Sequence, residues 1–254
     1  MKILGFDIET SPHLSFHFGR WKQNIPPEFT VEESAVLCIA AQWLGSKQVE
    51  FMSRWDDGQE QMLERIYELL DEADVVVHYN GTSFDCRRLN AEFIKRGWSP
   101  PSPYQQVDLF RTCKNKFGFS SHKLKHVLKD LGLTPKLEDD IRMKLWIDVV
   151  YKEDPKAMKL MRAYNIQDTK STLELYDYIL GWIDGHPNWG LFVDDITDPD
   201  NPVCPNCGHR EMKKHKVRRT QVQKYRQWHC GHCGKYSRGR RALTKLPETE
   251  GVVR

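Results

Sequence analysis

The chain has 254 residues, of which 39% are hydrophobic and 29% are charged, so it can form one sizeable core and a smaller second unit. It contains neither the ~18–20 consecutive apolar residues of a membrane span nor a signal peptide, so we expect a cytoplasmic protein without membrane contact. Its seven cysteines do not suggest a secreted disulfide framework, because four of them form two Cys-x-x-Cys pairs and three are left over.

Charge divides the chain into an acidic body and a basic C-terminal segment. Residues 201–254 hold 14 Lys and Arg against 3 Asp and Glu, a net charge of +11. Subtraction from the totals of 38 and 35 leaves 24 against 32, a net charge of −8, for residues 1–200. This asymmetry favours a partner that is a nucleic acid, although a basic tail can also be a solvated extension.

The predicted elements alternate between strands and helices. A buried strand occupies the first ten residues, and residues 11–33 form a long irregular connection with the aromatic residues Phe16, Phe18 and Trp21. Hydrophobic periodicity and turn residues then predict the following elements in chain order: a strand hairpin at 36–44 and 48–52, a helix at 59–72, a strand at 75–77, a helix at 84–96, a strand at 106–109, and helices at 124–131, 139–150 and 155–183. This order indicates the α/β class, with a mixed sheet flanked by helices.

Two acids follow the first apolar run. Asp7 and Glu9 are two positions apart, so in a strand both carboxylates project to one face, roughly 7 Å apart. Acids are rarely buried unless they are paired or bind a metal, which makes a divalent cation a natural occupant. For an isolated Asp-x-Glu, two solvated loop residues are the more common interpretation.

Three further polar residues occupy places where functional groups collect. Asp85 follows a buried strand and a glycine turn and begins a helix, although an acid there is also favoured by the helix dipole alone. Tyr164 and Asp168 are four residues apart on the long final helix. They therefore share one face, about 6 Å apart along the axis.

Taken together, these three motifs resemble those of the DEDD superfamily of 3′→5′ exonucleases. Asp7-Ile8-Glu9-Thr10, the approach His78-Tyr79-Asn80 to Phe84-Asp85, and Tyr164-x3-Asp168 are most similar to the proofreading exonuclease domain of family B DNA polymerases. The histidine branch of the superfamily places His five residues before the last Asp, and that position here is Ala163. The resemblance therefore implies the tyrosine branch, DEDDy, and a ribonuclease-H-like fold.

The resemblance also implies roles for these residues. Asp7 would bridge two Mg²⁺ ions, for which Mn²⁺ can substitute, while Glu9 and Asp168 would hold mainly the ion that activates water and Asp85 would complete the site. Two such ions neutralise charge on the attacking and leaving oxygens. Tyr164 would orient the attacking water, because a phenol with an ordinary pKa near 10 is a poor base at neutral pH.

The basic segment contains a second metal signal. Cys204-x-x-Cys207 and Cys230-x-x-Cys233 predict one structural Zn²⁺ with four thiolates, since two pairs outside a βαβ context argue against a redox dithiol. The segment resembles zinc ribbons of transposase-like DNA-binding proteins. We assign residues 1–195 to a ribonuclease-H-like domain, 196–202 to a linker and 203–254 to the ribbon.

Basic and aromatic side chains are interleaved in this ribbon, which suits phosphate neutralisation and base stacking. We expect the following residues to contact nucleic acid: Lys213, Lys214, Lys216, Arg218, Arg219, Lys224, Tyr225, Arg226, Trp228, Arg238, Arg240 and Arg241. A ribbon can also dock a protein, here a replication or repair factor, and we rank that second.

The leading hypothesis is a metal-dependent exonuclease that removes nucleotides from single-stranded DNA 3′ ends. The same chemistry could act on RNA, since the motifs do not read the sugar. A structure-directed endonuclease and a non-catalytic DNA-binding or partner-binding protein are the remaining alternatives.

Overall fold

The first strand lies at the centre of the larger of two compact units. The structure, a computed structural model, describes residues 1–19, 21–133, 143–193 and 202–243. Its contacts divide the chain into a larger unit, residues 2–176, and a smaller unit formed by residues 177–254 with Met1. The predicted linker at 196–202 falls mainly outside the described residues, so the predicted domain boundaries stay a prediction.

The larger unit contains seven strands, six α-helices and the short 3₁₀ helix Pro27–Phe29 within its described residues. In chain order the strands and α-helices are β1 (Ile3–Thr10), β2 (Leu14–Ser15), β3 (Thr30–Glu32), β4 (Val36–Trp43), β5 (Glu50–Ser53), α1 (Gln59–Glu72), β6 (Val75–His78), α2 (Asp85–Lys95), β7 (Gln105–Asp108), α3 (Leu109–Lys116), α4 (Leu124–Asp130), α5 (Met143–Val150) and α6 (Pro155–Ile179). The last turn of α6 extends into the second unit.

The main sheet is mixed, as predicted. Its strand order is β5-β4-β1-β6-β7, with β4 antiparallel to β1 and to β5. Strands β1, β6 and β7 are parallel, so their carboxyl ends meet at one edge, where ligands collect in α/β sheets. The motifs that the sequence analysis selected at the ends of β1 and β6 therefore lie at the same edge.

The core explains why the hydrophobic pattern located the elements correctly. Helix α1 presents Met62, Leu63, Ile66, Leu69 and Leu70, each at most 1% exposed, to the same cluster as the apolar side chains of β1 and β4. Each such side chain contributes roughly 1.5–3 kcal/mol when it is removed from water. The spacing of these residues fits one helical face, and both the predicted helix and the predicted hairpin are found.

Two features differ from the sequence expectations, and a third is seen only in part. Helix α3 was not predicted, and Leu109 begins this helix rather than ending β7; the reason is that Asp108 caps it by accepting a hydrogen bond from the backbone N–H of Arg111 at 3.3 Å. The irregular connection contains the short antiparallel pair β2–β3. Of the helix predicted at 139–150, the structure shows Met143–Val150, and the preceding residues lie outside the described part.

The smaller unit is built on a three-stranded antiparallel sheet. Its strands are β8 (Met212–Arg219), β9 (Lys224–Cys230) and β10 (Tyr236–Ala242), in the order β10-β9-β8. Residues upstream bond to the turns beside these strands: the Asn206 amide donates to the carbonyl of Leu180 at 2.8 Å, and the ammonium of Lys235 donates to the carbonyl of Ile183 at 2.7 Å. This unit therefore includes residues upstream of the predicted ribbon start.

Candidate active site and metal centre

Strand β1 separates its apolar and acidic side chains by alternation. Phe6 and Ile8 are 1% and 3% exposed and enter the core, whereas Asp7 and Glu9 are partly exposed on the other face. Both acids act on the buried thiol of Cys38, which lies opposite Glu9 in β4. Burial raises the pKa of this thiol well above its ordinary value, and the charges of Glu9 and Asp7 raise it further. The two carboxylates therefore create one region of negative potential.

Asp85 reaches β1 from the start of α2. Its side chain accepts a hydrogen bond from the backbone N–H of Ile8 at 3.2 Å, and it is only 4% exposed. Burial raises the pKa of this carboxyl to about 6, and the negative charge of Asp108 also raises it. Hydrogen bonds from two backbone N–H groups lower the pKa but do not cancel the rise. A nearby dication would favour its ionised form.

Helix α6 crosses β1 on a face with a four-residue period. The Asn165 amide donates to the Asp7 carboxylate at 2.7 Å and to the Asp7 carbonyl at 3.1 Å. One turn later, the Thr169 hydroxyl donates to the carbonyl of Ala40 at 3.2 Å, and Ala40 pairs with Asp7 in the sheet. One turn further still, Leu173 packs over a glycine of β1.

That glycine is Gly5, and it permits the close approach of the helix. A Cβ atom at Gly5 would lie 2.6 Å from Cγ of Leu173, well inside van der Waals contact. This packing sets the distance between α6 and β1. It therefore positions Asp168, which is 4% exposed, and the half-buried Tyr164 on the helix that contacts Asp7.

The sequence-predicted acids lie on three elements, β1, the start of α2 and α6, and both helices contact β1, through Asp85 and Asn165. Among the described residues, sets of three or more His, Cys, Asp or Glu ligand atoms that all lie within 4.8 Å of one another occur only in the smaller unit. The carboxylates of Asp7, Glu9, Asp85 and Asp168 do not form such a set. They are related by the contacts between the elements that carry them. Their donor set consists of hard oxygens, which fits Mg²⁺.

A buried polar network that the sequence analysis did not assign shapes the turn before Asp85. Asp108 accepts a hydrogen bond from the backbone N–H of Asn80 at 3.0 Å, which allows Asn80 its left-handed φ of 70°. His78, 1% exposed, accepts from the backbone N–H of Gly81 at 3.0 Å. Burial lowers the pKa of His78, against the charge of Asp108, so the imidazole is neutral and holds the turn.

Asn165 was also missed, although it directly follows Tyr164. Its signal was available in the sequence, since Asn165, Thr169 and Leu173 recur every four residues on a helix already assigned. Nothing in that pattern names Asp7 as the partner, because the two residues are 158 positions apart.

The four cysteines of the smaller unit form a group that could hold a metal ion. The Sγ atoms of Cys204 and Cys233 are 3.8 Å apart, and those of Cys207 and Cys230 are 3.6 Å apart. Four sulfurs at about 2.3 Å from a tetrahedral Zn²⁺ would be about 3.8 Å apart. These separations therefore fit zinc, whereas a disulfide would need about 2.05 Å.

Each pair of thiols lies on a tight Cys-x-x-Cys-Gly turn, here called a knuckle, and the two knuckles have the same geometry. The backbone N–H of Gly208 bonds the carbonyl of Cys204 at 2.9 Å, and the backbone N–H of Gly234 bonds the carbonyl of Cys230 at 3.1 Å. Both glycines have a positive φ, 79° and 74°, which a side chain would disfavour. The glycine that follows each Cys-x-x-Cys pair is therefore part of the metal-binding signal.

The predicted nucleic-acid-binding residues lie on the three strands of this unit. The Lys and Arg side chains among them are exposed, and the guanidinium of Arg238 stacks over the half-buried ring of Tyr225 at 4.3 Å. Trp228 is the exception, because it is 6% exposed and packs with Cys204, Met212 and Cys230. Its indole supports the knuckles from within, so we remove Trp228 from the predicted binding set.

The mixed sheet with flanking helices and the acids at its strand ends define a ribonuclease-H-like nuclease fold. Residues 28–180 match the family model RNase_H_2 of the RNase_H superfamily, and the chain belongs to this superfamily. The resemblance and the fold class predicted from the sequence are thereby confirmed.

A solved structure gives the same result for the fold. The structure of the family B DNA polymerase from the hyperthermophilic archaeon Pyrobaculum calidifontis is similar with a TM-score of 0.52 and 19% sequence identity. The match covers 71% of this chain and 24% of the polymerase chain. No curated protein sequence matches the chain. Within the described ranges, no helix has the length and apolar character needed to cross a bilayer.

Proposed function

We propose that the protein is a two-metal 3′→5′ exonuclease of the DEDDy type that acts on single-stranded DNA ends. The observation that carries this proposal is the convergence on β1 of two distant elements: Asp85 of α2 accepts from the backbone N–H of Ile8, and Asn165 of α6 donates to Asp7. This convergence supports the proposal, because the reaction needs the three predicted acidic motifs around one strand end.

Asp7, Glu9, Asp85 and Asp168 would hold two Mg²⁺ ions, or Mn²⁺ in their place. When bound, these ions activate water and neutralise the charge that develops on the scissile phosphate. The chain's own contribution is positioning: the Asn165 amide fixes one oxygen of Asp7, and the backbone N–H of Ile8 fixes one oxygen of Asp85. Tyr164 on the same helix would orient the attacking water.

Exposed aromatic side chains in the connection after β1 support a single-stranded substrate. Phe16, Phe18 and Trp21 are 75%, 101% and 84% exposed in the connection that follows β1. The base of this connection is fixed next to the site by Ser11, whose backbone N–H donates to the carbonyl of Ala35 at 2.8 Å. Unpaired bases stack on such rings irrespective of sequence, whereas a duplex would hide its base faces.

The proposal is tested with end-labelled single-stranded DNA, matched RNA and circular single-stranded DNA. We expect Mg²⁺-dependent shortening of 5′-labelled DNA from its 3′ end, slower action on RNA, and an intact circle. The isosteric substitution Asp7→Asn should reduce the rate at least about 10³-fold, while Glu64→Gln, an exposed acid on α1, should leave it unchanged. Cleavage of the circle, or full activity of Asp7→Asn, would refute the exonuclease assignment.

A further inference from the structure

Two exposed histidines of the smaller unit are stacked beside the cysteine cluster. The rings of His209 and His232 have centroids 3.5 Å apart and an interplanar angle of 9°. One ligand atom of each lies within 4.8 Å of the other and of the Cys207 thiol. Both imidazoles are solvent-exposed, whereas Cys204 and Cys230 are buried. The group is therefore open to ions from solution.

A backbone carbonyl lies beside one ring nitrogen of His209. Its Nδ1 atom lies 3.3 Å from the backbone carbonyl of Cys207. Since a carbonyl can only accept, Nδ1 carries the proton, which leaves the lone pair on Nε2. Histidines that bind metals in proteins are usually held in this way, with the second ring nitrogen donating to a carbonyl or carboxylate.

The lone pair of an imidazole nitrogen lies in the plane of its ring, so two parallel rings cannot both point at one ion. One of the two rings must therefore rotate out of the stack when both bind the same cation. Both side chains are exposed to solvent, so this rotation does not disturb the core.

We infer that Cys207, His209 and His232 form a second metal site for a borderline divalent ion such as Zn²⁺, Co²⁺ or Ni²⁺. One thiolate and two imidazoles are ligands that this class of ion prefers. Cys207 also belongs to the four-cysteine group, so its sulfur bridges the two ions when both sites are filled. The second ion binds after the first and at least about tenfold more weakly, because Cys207 donates to it while already bound.

The test is a Co²⁺ titration of the untagged full chain after removal of zinc. The first equivalent should give the charge-transfer and d–d bands of tetrahedral thiolate coordination in every protein. Wild type should then bind one equivalent more than the double variant His209→Gln/His232→Gln. His215→Gln, an exposed histidine on β8, is the matched control and should behave as wild type. The acids of the larger unit are present in all three proteins, so they do not contribute to the difference.

Equal stoichiometry in wild type and in the double variant would overturn the inference. A measurement on wild type alone covers the case in which the double variant does not fold. In long-range ¹H–¹⁵N spectra recorded during a Zn²⁺ titration, the Nε2 resonance of His209 and a ring nitrogen of His232 should shift only after the first equivalent. If neither shifts, the site does not exist; a failure of nuclease activity would leave this result unaffected.

Discussion

Replacing Asp85 with asparagine should stabilise the fold while it removes hydrolysis. The carboxyl is 4% exposed, and burial raises its pKa from 3.8 to about 6. Above that pH the folded protein holds a buried negative charge that the unfolded chain would expose to water. Asparagine has the same shape, keeps an oxygen for the backbone N–H of Ile8, and carries no charge.

The sign and size of the effect follow from linkage. Below pH ~4 the carboxyl is protonated in both states, so the wild-type protein carries no penalty. Between pH 3.8 and about 6 the folded state binds more protons than the unfolded state, so the stability contributed by this group falls as pH rises. A shift of about two units corresponds to a penalty on the order of 3 kcal/mol at pH 8. For a domain of this size that is roughly 6–12 °C in Tm.

The assay is thermal unfolding of wild type and Asp85→Asn at pH 4 and pH 8, without added Mg²⁺ and with zinc retained. The variant should melt higher at pH 8, and the difference should shrink at pH 4. Added Mg²⁺ should raise the Tm of wild type and leave that of the variant unchanged. Asp71→Asn is the control, because hydrogen bonds from Ser102 lower the pKa of Asp71, so that substitution should not stabilise. An Asp85→Asn variant no more stable than wild type at pH 8 would refute the reasoning.

Three other variants test the packing of α6 on β1, the positioning of Asp7 and the positive charge of β8. Gly5→Ala should destabilise the larger unit by about 1–3 kcal/mol, as measured by urea unfolding, and adding Leu173→Ala should recover part of the loss. Asn165→Ala removes the amide that fixes the first aspartate and should raise the Mg²⁺ concentration needed for half-maximal rate about tenfold. Lys216→Gln/Arg218→Gln should reduce the slope of log affinity against log salt for single-stranded DNA by about 1.4, as measured by fluorescence anisotropy.

A contrary result in any of these experiments would show which contact or charge is not needed. Unchanged stability of Gly5→Ala would mean that α6 does not rest on β1 as closely as the 2.6 Å separation requires. An unchanged Mg²⁺ requirement in Asn165→Ala would remove the amide from the positioning of the site. An unchanged salt slope would assign the strand β8 to a partner other than nucleic acid.

The elements that the sequence predicted well are those whose signal is local. Helix α1 buries one face at helical spacing, and β1 alternates core and acidic residues within ten positions. The two cysteine pairs, each followed by a glycine with positive φ, carry their geometry in a few residues. Periodicity, turn chemistry and ligand spacing are properties of neighbouring residues, so a single sequence contains them.

The features that the sequence did not predict depend on contacts between distant segments. Asn165 binds Asp7 across 158 positions, and Gly5 is required by Leu173 of α6. Trp228 looks like an aromatic residue in a basic surface, yet it fills the space behind the thiols. Helix α3 has a short apolar pattern, and its start depends on Asp108 acting as both a helix cap and a partner of Asn80.

The distribution of charge along the chain bears on the proposed nucleic-acid substrate. Residues 1–200 carry a net charge of −8, and the described side chains that shift the Asp85 pKa include no cation. A polyanion approaching such a site is repelled until divalent ions neutralise the carboxylates. On the proposed function, residues 201–254, with a net charge of +11, would supply the attraction that residues 1–200 lack. Affinity for nucleic acid should therefore follow the salt dependence of the basic segment, while the rate of hydrolysis should follow the divalent ion.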